Sequence, residues 1–118
     1  IEAEHFSERM QSDSHQDFAS VLRDTPDLRD EYHRAGLEFL EAGQLYAARD
    51  VFQRAIAVDP DHVSSHYHLG LTLVRLKRWK AAQYSFARVL QIDPTHPDAQ
   101  TNGKLVGREL EKQKAVGN

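Results

Sequence analysis

The sequence repeats itself with a period of 34 residues. Residues 29–62 align without a gap on residues 63–96, and identical residues recur along the whole unit. The matching pairs are Gly36 and Gly70, Leu37 and Leu71, Ala47 and Ala81, Ala48 and Ala82, Phe52 and Phe86, Arg54 and Arg88, Asp59 and Asp93, Pro60 and Pro94, and His62 and His96. A period between about 20 and 50 residues indicates stacked supersecondary units.

Each unit contains two helical segments separated by a short break. Apolar residues recur three and four positions apart, which is the spacing of one helix face. Ala42–Gly43 interrupts this pattern in the first unit, and the second unit predicts helices at Val63–Leu76 and Trp79–Ile92. Pro60 and Pro94 cannot continue a helix and disfavour helical geometry in the preceding residue, so each ends its unit. The sequence therefore predicts an all-α fold of two helical hairpins.

Small residues recur where the two helices of each hairpin are expected to cross. They are Gly36 and Ala48 in the first unit and Gly70 and Ala82 in the second. Without bulk at these positions the backbones can approach closely, and Phe52 and Phe86 can fill the space around them. A larger residue there would push the helices apart.

Composition narrows the function classes. A chain of 118 residues allows one domain, and its net charge of −3 gives no general attraction to nucleic acid or anionic lipid. The absence of cysteine excludes disulfide frameworks and thiolate metal sites. No apolar run approaches the roughly 20 residues that a membrane-spanning helix needs, and Ile1–His5 lacks the basic start and apolar run of a signal peptide.

Both flanks of the repeats carry weaker helical patterns. Residues 97–118 predict a terminal helix that covers the second repeat, and Gly103 and Gly107 lead us to expect a frayed end. Residues 1–28 form an extension in which residues 14–24 resemble the second helix of a worn repeat, because Phe18 aligns with Phe52 and Pro26 with Pro60. Residues 1–13 are either disordered or a short amphipathic helix.

The repeat resembles the tetratricopeptide repeat. The resemblance rests on Tyr32, Ala35, Gly36, Phe39, Ala48, Phe52, Ala55 and Pro60, and then on Leu69, Gly70, Leu73, Ala82, Phe86 and Pro94. It implies an α-α superhelix of helical hairpins, with repeats at 29–62 and 63–96 and a capping helix at 97–118. His66 departs from the family pattern, which usually has a large apolar residue there, and Val89 stands where a small residue is usual.

In this family the first helix of each repeat lines the concave side, where partners bind. By that geometry the apolar positions of the groove form a stripe flanked by charged residues, which suits an amphipathic helix or an extended segment of a partner protein. The predicted partner-binding residues are His33, Arg34, Leu37, Leu40, Tyr67, His68, Leu71, Val74, Arg75 and Leu105. One alternative is that the N-terminal or the last helix of the same chain covers this stripe.

Self-association is the alternative function. Two complete repeats are fewer than the usual three, so the stack could extend by pairing with another copy. Phe18, Val21 or Trp79 would then be buried between chains.

Catalysis, cofactors and metals are not predicted. The residue types of a hydrolytic triad occur close together at Asp61, Ser64, Ser65 and His66. Side chains so close on one helix cannot converge on a nucleophile. His62, His66 and His68 lie within two helical turns, and only the first two share a face. We therefore expect these histidines to be surface residues without a metal.

Overall fold

The computed structural model describes residues 26–117, and this part of the chain is helical and contains no strand. Its helices are α1 (Pro26–Glu41), α2 (Leu45–Val58), α3 (Val63–Arg75), α4 (Trp79–Ile92) and α5 (Pro97–Gly117). The prediction of an all-α fold is confirmed. Within the described part, none of the helices has the length and apolar character needed to cross a membrane. The helix predicted at residues 14–24 lies outside the described residues.

The helices form two hairpins and a cap. α1 packs against α2, and α3 packs against α4. Contacts between α2 and α3 join the two hairpins, and α4 carries α5. Since α1 also touches α3, the first helices of the two repeats lie side by side, as the predicted superhelix requires.

Each hairpin closes around one phenylalanine that faces a glycine. Phe52 and Phe86 are buried, with exposures of 0% and 1%. A Cβ atom added to Gly70 would lie 2.6 Å from Cε1 of Phe86, and one added to Gly36 would overlap the ring of Phe52. The helices can therefore approach this closely only because these positions lack a side chain.

The two hairpin turns have the same backbone geometry but different residues. Gly43 adopts a φ of 76° and Lys77, its equivalent in the second repeat, a φ of 59°. After α1, the amide of Gln44 donates to the carbonyl of Phe39 at 2.9 Å; after α3, the amide of Arg78 donates to the carbonyl of Leu73 at 2.8 Å. This is the Schellman arrangement that ends a helix with a left-handed residue.

The turns between units are also equivalent. The carbonyl of Asp59 accepts from the amide of His62 at 3.1 Å, and the carbonyl of Asp93 accepts from the amide of His96 at 3.2 Å. The side chain of Arg29, near the start of α1, donates to Oδ2 of Asp59 at 2.9 Å. The first helix is thereby fastened to the turn that leads into the second repeat.

Two helix ends differ from the sequence predictions, and one of them is the end of α3, at Arg75 rather than Leu76. α1 begins at Pro26 rather than at residue 29, because a proline at the first helical position gives up only an N–H that would have no partner in the helix. α5 extends over the predicted terminal segment as far as Gly117, and the expected fraying of its end stays a prediction. Its inner side is anchored by Ala99 and Val106, with exposures of 0% and 2%, and this packing outweighs the low helix propensity of glycine.

Candidate functional site

Three helices form one continuous face, which we call the α1–α3–α5 face. Between α1 and α3, Nε2 of His33 lies 3.2 Å from Nδ1 of His68, and the guanidinium of Arg75 donates to the carbonyl of Leu40 at 3.3 Å. Between α3 and α5, the amide of Asn102 donates to the hydroxyl of Tyr67 at 3.2 Å. The structure thus places predicted site residues from separate helices next to one another.

The aliphatic part of this face is only partly open. The side chains of Leu37, Leu40, Leu71 and Val74 are half-buried and pack against the core. Leu105 differs from them, with 49% of its surface exposed. Only the outer edges of these side chains in the predicted apolar stripe are therefore accessible to a partner. The charged positions Arg34 and Arg75 are exposed, as the sequence indicates.

Three histidines meet above the core of the first repeat. The ring centroids of His33 and His62 are 5.2 Å apart, those of His33 and His68 are 5.1 Å apart, and His68 stacks on Phe52 at 5.9 Å. Nδ1 of His68 also lies 2.8 Å from the carbonyl oxygen of Ser64. A carbonyl only accepts, so this nitrogen carries the proton and Nε2 of His33 faces it with a lone pair.

This packing disfavours the charged forms of His33 and His62. Burial lowers the pKa of His33 to about 4, and the neighbouring imidazoles of His68 and His62 act in the same direction. Burial also lowers the pKa of His62, with a smaller contribution from the cation of Arg29. Asp30 opposes both effects but does not overcome them.

Tyr67 continues the aromatic contacts towards α5. Its ring centroid lies 5.3 Å from that of His68, 5.9 Å from that of Phe86 and 5.0 Å from that of His96. Burial raises the pKa of Tyr67, and the carboxylate of Asp98 adds to this effect. The hydroxyl is therefore neutral and can accept from α5.

The ring contacts described above form one aromatic row along the face. It consists of His33, His62, His68, Tyr67 and His96. Two of these, His62 and His96, were not among the predicted site residues. His62 and His96 occupy equivalent positions of the repeat, immediately before α3 and at the residue before Pro97. Each therefore lies at the N-terminal end of one helix of the face. Their pairing at an interval of 34 residues was the available signal, but helix periodicity does not show that a residue before a helix turns its ring towards the groove.

The histidines of residues 26–117 do not converge as metal ligands. Nε2 of His66 lies 2.7 Å from the carbonyl oxygen of Pro60, and Nδ1 of His62 lies 2.6 Å from the hydroxyl of Ser65. Within residues 26–117, no group of three histidine, aspartate or glutamate side chains is arranged to hold a metal ion. His66 is buried, so the prediction of a surface position is wrong for this residue; its hydrogen bond to the backbone allows it to replace an apolar residue.

Two cavities flank Trp79 at the far end of the face. The first has a volume of about 410 Å³ and is lined by Val74, Trp79, Asn102, Leu105, Val106, Arg108, Glu109 and Lys112. The second has a volume of about 370 Å³ and is lined by Lys77, Arg78, Trp79, Lys80, Ala81, Leu110 and Gln113. The first cavity extends the α1–α3–α5 face through Val74 and Leu105.

Comparison with known families agrees with this architecture. The family model described as a tetratricopeptide repeat matches residues 33–97, which is more than half of the 118 residues. The matched segment runs from within α1 to the start of α5. No curated protein matches the chain.

Proposed function

Since this chain belongs to the tetratricopeptide-repeat family, a non-catalytic repeat that generally mediates protein–protein interaction, we propose that it holds a segment of a partner protein. The partner segment is a helix or an extended peptide and lies on the α1–α3–α5 face. Leu37, Leu40, Leu71 and Val74 provide apolar contact, together with Leu105 and Tyr67. Arg34, Arg75, His33 and His68 provide polar contact and orient the segment.

The observation that supports this proposal is the continuity of the face across three helices. The contacts of His33 with His68 and of Tyr67 with Asn102 join α1, α3 and α5 into one surface. A segment lying across that surface can contact apolar edges from every helix and hydrogen-bond donors at the margins. Rigid helices also hold these groups in place before binding, which reduces the entropy lost on association.

The proposal is tested by affinity capture from native lysate. Leu37→Glu and Leu71→Glu place a charge in the face and are expected to abolish capture of the partner. Because both leucines are half-buried, circular dichroism must show that helicity is retained. Arg34→Glu with Arg75→Glu is a second variant that leaves the core untouched, since both side chains are exposed.

Control variants come from the second helices of the hairpins. Tyr46 on α2 and Tyr84 on α4 are 57% and 69% exposed, so Tyr46→Glu and Tyr84→Glu add charge without disturbing the core. They are expected to capture the partner as the unmodified chain does. Unchanged capture by folded variants of the face, or equal loss in the control variants, would refute the assignment of the binding surface.

A further inference from the structure

The two parts of the described chain carry opposite charge. Residues 26–60 contain seven acidic and four basic residues, whereas residues 61–117 contain five acidic and nine basic residues. The overall charge of −3 conceals this division. Charges act over about 8 Å at physiological ionic strength, so the part formed by α3, α4 and α5 attracts anionic groups although the whole chain does not.

Cations gather around the two cavities that flank Trp79. The charged residues that line the cavities are Lys77, Arg78, Lys80, Arg108, Lys112 and Glu109. Between these charges the walls are apolar, formed by Val74, Leu105, Val106, Ala81 and Leu110 together with the indole of Trp79. The site therefore combines space for apolar side chains with a cationic margin.

Most of these cations have no anionic partner within residues 26–117. Glu109 is already paired, because its carboxylate accepts from Nζ of Lys112 at 3.3 Å. Lys77, Arg78, Lys80 and Arg108 form no ion pair with any described residue. An anionic segment placed here would meet positive charge without displacing an existing salt bridge.

The indole N–H of Trp79, between the two cavities, is a second polar group without a partner in the described part of the chain. Its Nε1 atom is buried and has no hydrogen-bond acceptor in the described part of the chain. A buried donor without a partner is unfavourable, and tryptophan usually finds an acceptor when its ring is buried.

We propose that the cavities flanking Trp79 dock an acidic segment of the partner protein, with its apolar side chains in the cavities and its carboxylates against the surrounding cations. This inference rests on the proposed function, because the first cavity continues the α1–α3–α5 face through Val74 and Leu105. Nucleic acid fits less well. Its bases bind on open aromatic platforms, whereas the indole of Trp79 is half-buried between aliphatic walls.

The experiment uses the full chain and intrinsic fluorescence. Trp79 is the single tryptophan, so its emission reports occupation of either cavity. The first probe is a synthetic amphipathic peptide with leucines at helical spacing and glutamates elsewhere. The comparison probes are the same peptide with lysine for every glutamate, the same acidic peptide with serine for every leucine, and a single-stranded oligonucleotide of equal charge.

We expect saturable changes of Trp79 emission with the first probe only, and an affinity that falls as salt is added. Arg108→Gln is expected to weaken binding about threefold to fivefold, and Arg78→Glu with Arg108→Glu by more than about tenfold. Leu105→Ser is expected to weaken binding similarly to Arg108→Gln. The controls are Arg54→Gln, an exposed arginine on α2, and Val116→Ser, an apolar residue 87% exposed on α5; both should leave binding unchanged.

Three results would overturn the proposal. They are an equal response to the lysine peptide or the oligonucleotide, no response to the acidic peptide, and unchanged affinity in the Arg108 variants. These results can be separated from failure of the proposed function. If Leu37→Glu and Leu71→Glu abolish capture while Arg108 variants capture normally, the face is correct and the acidic preference is wrong.

Discussion

The pKa of His33 is lowered because its ring is half-buried against His62 and His68, above Phe52. A protonated ring would present an N–H to the N–H of His68, so the packing favours the neutral form. The same residue was predicted as a contact for the partner. His33 therefore contributes to packing between the repeats and is also part of the proposed binding surface.

Acidification is expected to destabilise the fold through this cluster. With a pKa of about 4 when folded and about 6.5 when unfolded, His33 takes up its proton first in the unfolded chain. Its contribution is complete above pH 6.5 and is lost as the pH falls towards 4. His62 acts in the same direction. A shift of this size corresponds to about 3 kcal/mol, and partial exposure reduces the expectation to about 1–2 kcal/mol.

Urea unfolding at a series of pH values measures this effect. His33→Gln should lessen the decline of the unfolding free energy between pH 6.5 and pH 4, since glutamine does not titrate. Arg34→Gln changes the exposed neighbouring residue and should retain the decline. The charged groups around the cluster are Arg29 and Asp30 on α1 and Asp59 in the turn between α2 and α3. An identical pH profile in His33→Gln and the unmodified chain would contradict the assignment.

Glycine positions in the helices are expected to respond in opposite ways to alanine. Gly70→Ala would press a methyl group into Phe86, so we expect a loss of about 1–3 kcal/mol of unfolding free energy. Gly107→Ala is the matched change, because its added Cβ would have its nearest neighbour at 4.0 Å. It should stabilise by up to about 1 kcal/mol through helix propensity. Thermal unfolding compares the two, and equal effects would show that close packing is not what requires Gly70.

At the scale of the element, the two hairpins differ most in the residue that ends their first helix. Gly43 adopts its positive φ freely, whereas Lys77 adopts one with a side chain attached. The hydrogen bonds of the turn are the same in both repeats. The second hairpin therefore carries local backbone strain that the first does not. The strained residue, Lys77, lines the second of the two cavities that flank Trp79.

Lys77→Gly is expected to stabilise the chain by about 1 kcal/mol by removing this strain, less the entropy that glycine gains when unfolded. Gly43→Ala is the reciprocal test, because its added Cβ would meet no atom within 4 Å and only the backbone penalty remains. It should destabilise by a similar amount. Chemical unfolding measures both variants. A destabilised Lys77→Gly would show that the lysine side chain stabilises the turn.

At the scale of the whole molecule, the described residues form a short stack with unequal charge. The acidic first hairpin and the basic second half are features that head-to-tail association could use. The large apolar residues that are well exposed in the described part of the chain are Tyr46, Tyr84, Leu105 and Val116. They are spread over α2, α4 and α5, and do not form the patch of about 800 Å² per partner that a stable dimer needs.

We therefore expect a monomer of 13.5 kDa in size-exclusion chromatography with light scattering. The measurement should be made over a series of concentrations and at low and high salt. A mass that rises with concentration would favour self-association over the binding of a separate partner. Loss of that larger species in high salt would identify the opposite charges of the two halves as its cause.

The fold was predictable because its information is local and repeated. Glycine opposite phenylalanine, the break at Ala42–Gly43 and the proline after each second helix determine hairpins before any long-range contact is known. Because the pattern occurs twice, equivalent positions in the two repeats identify the same core residues, such as Phe52 and Phe86. The start of α1 and the end of α3 differed, since helix ends depend on capping and packing rather than on periodicity.

The site was predictable in part. Helix periodicity and family resemblance predicted which helix surfaces share a face, and His33 and Tyr67 do lie on that face. That a partner binds there stays a prediction. The contact of His33 with His62 and His68 came only from the tertiary structure, as did the indole N–H of Trp79, which has no acceptor among residues 26–117. The physical reason is distance along the chain: a pKa, a cavity or an unpaired donor depends on residues about one repeat away, and sequence spacing does not measure how closely they approach.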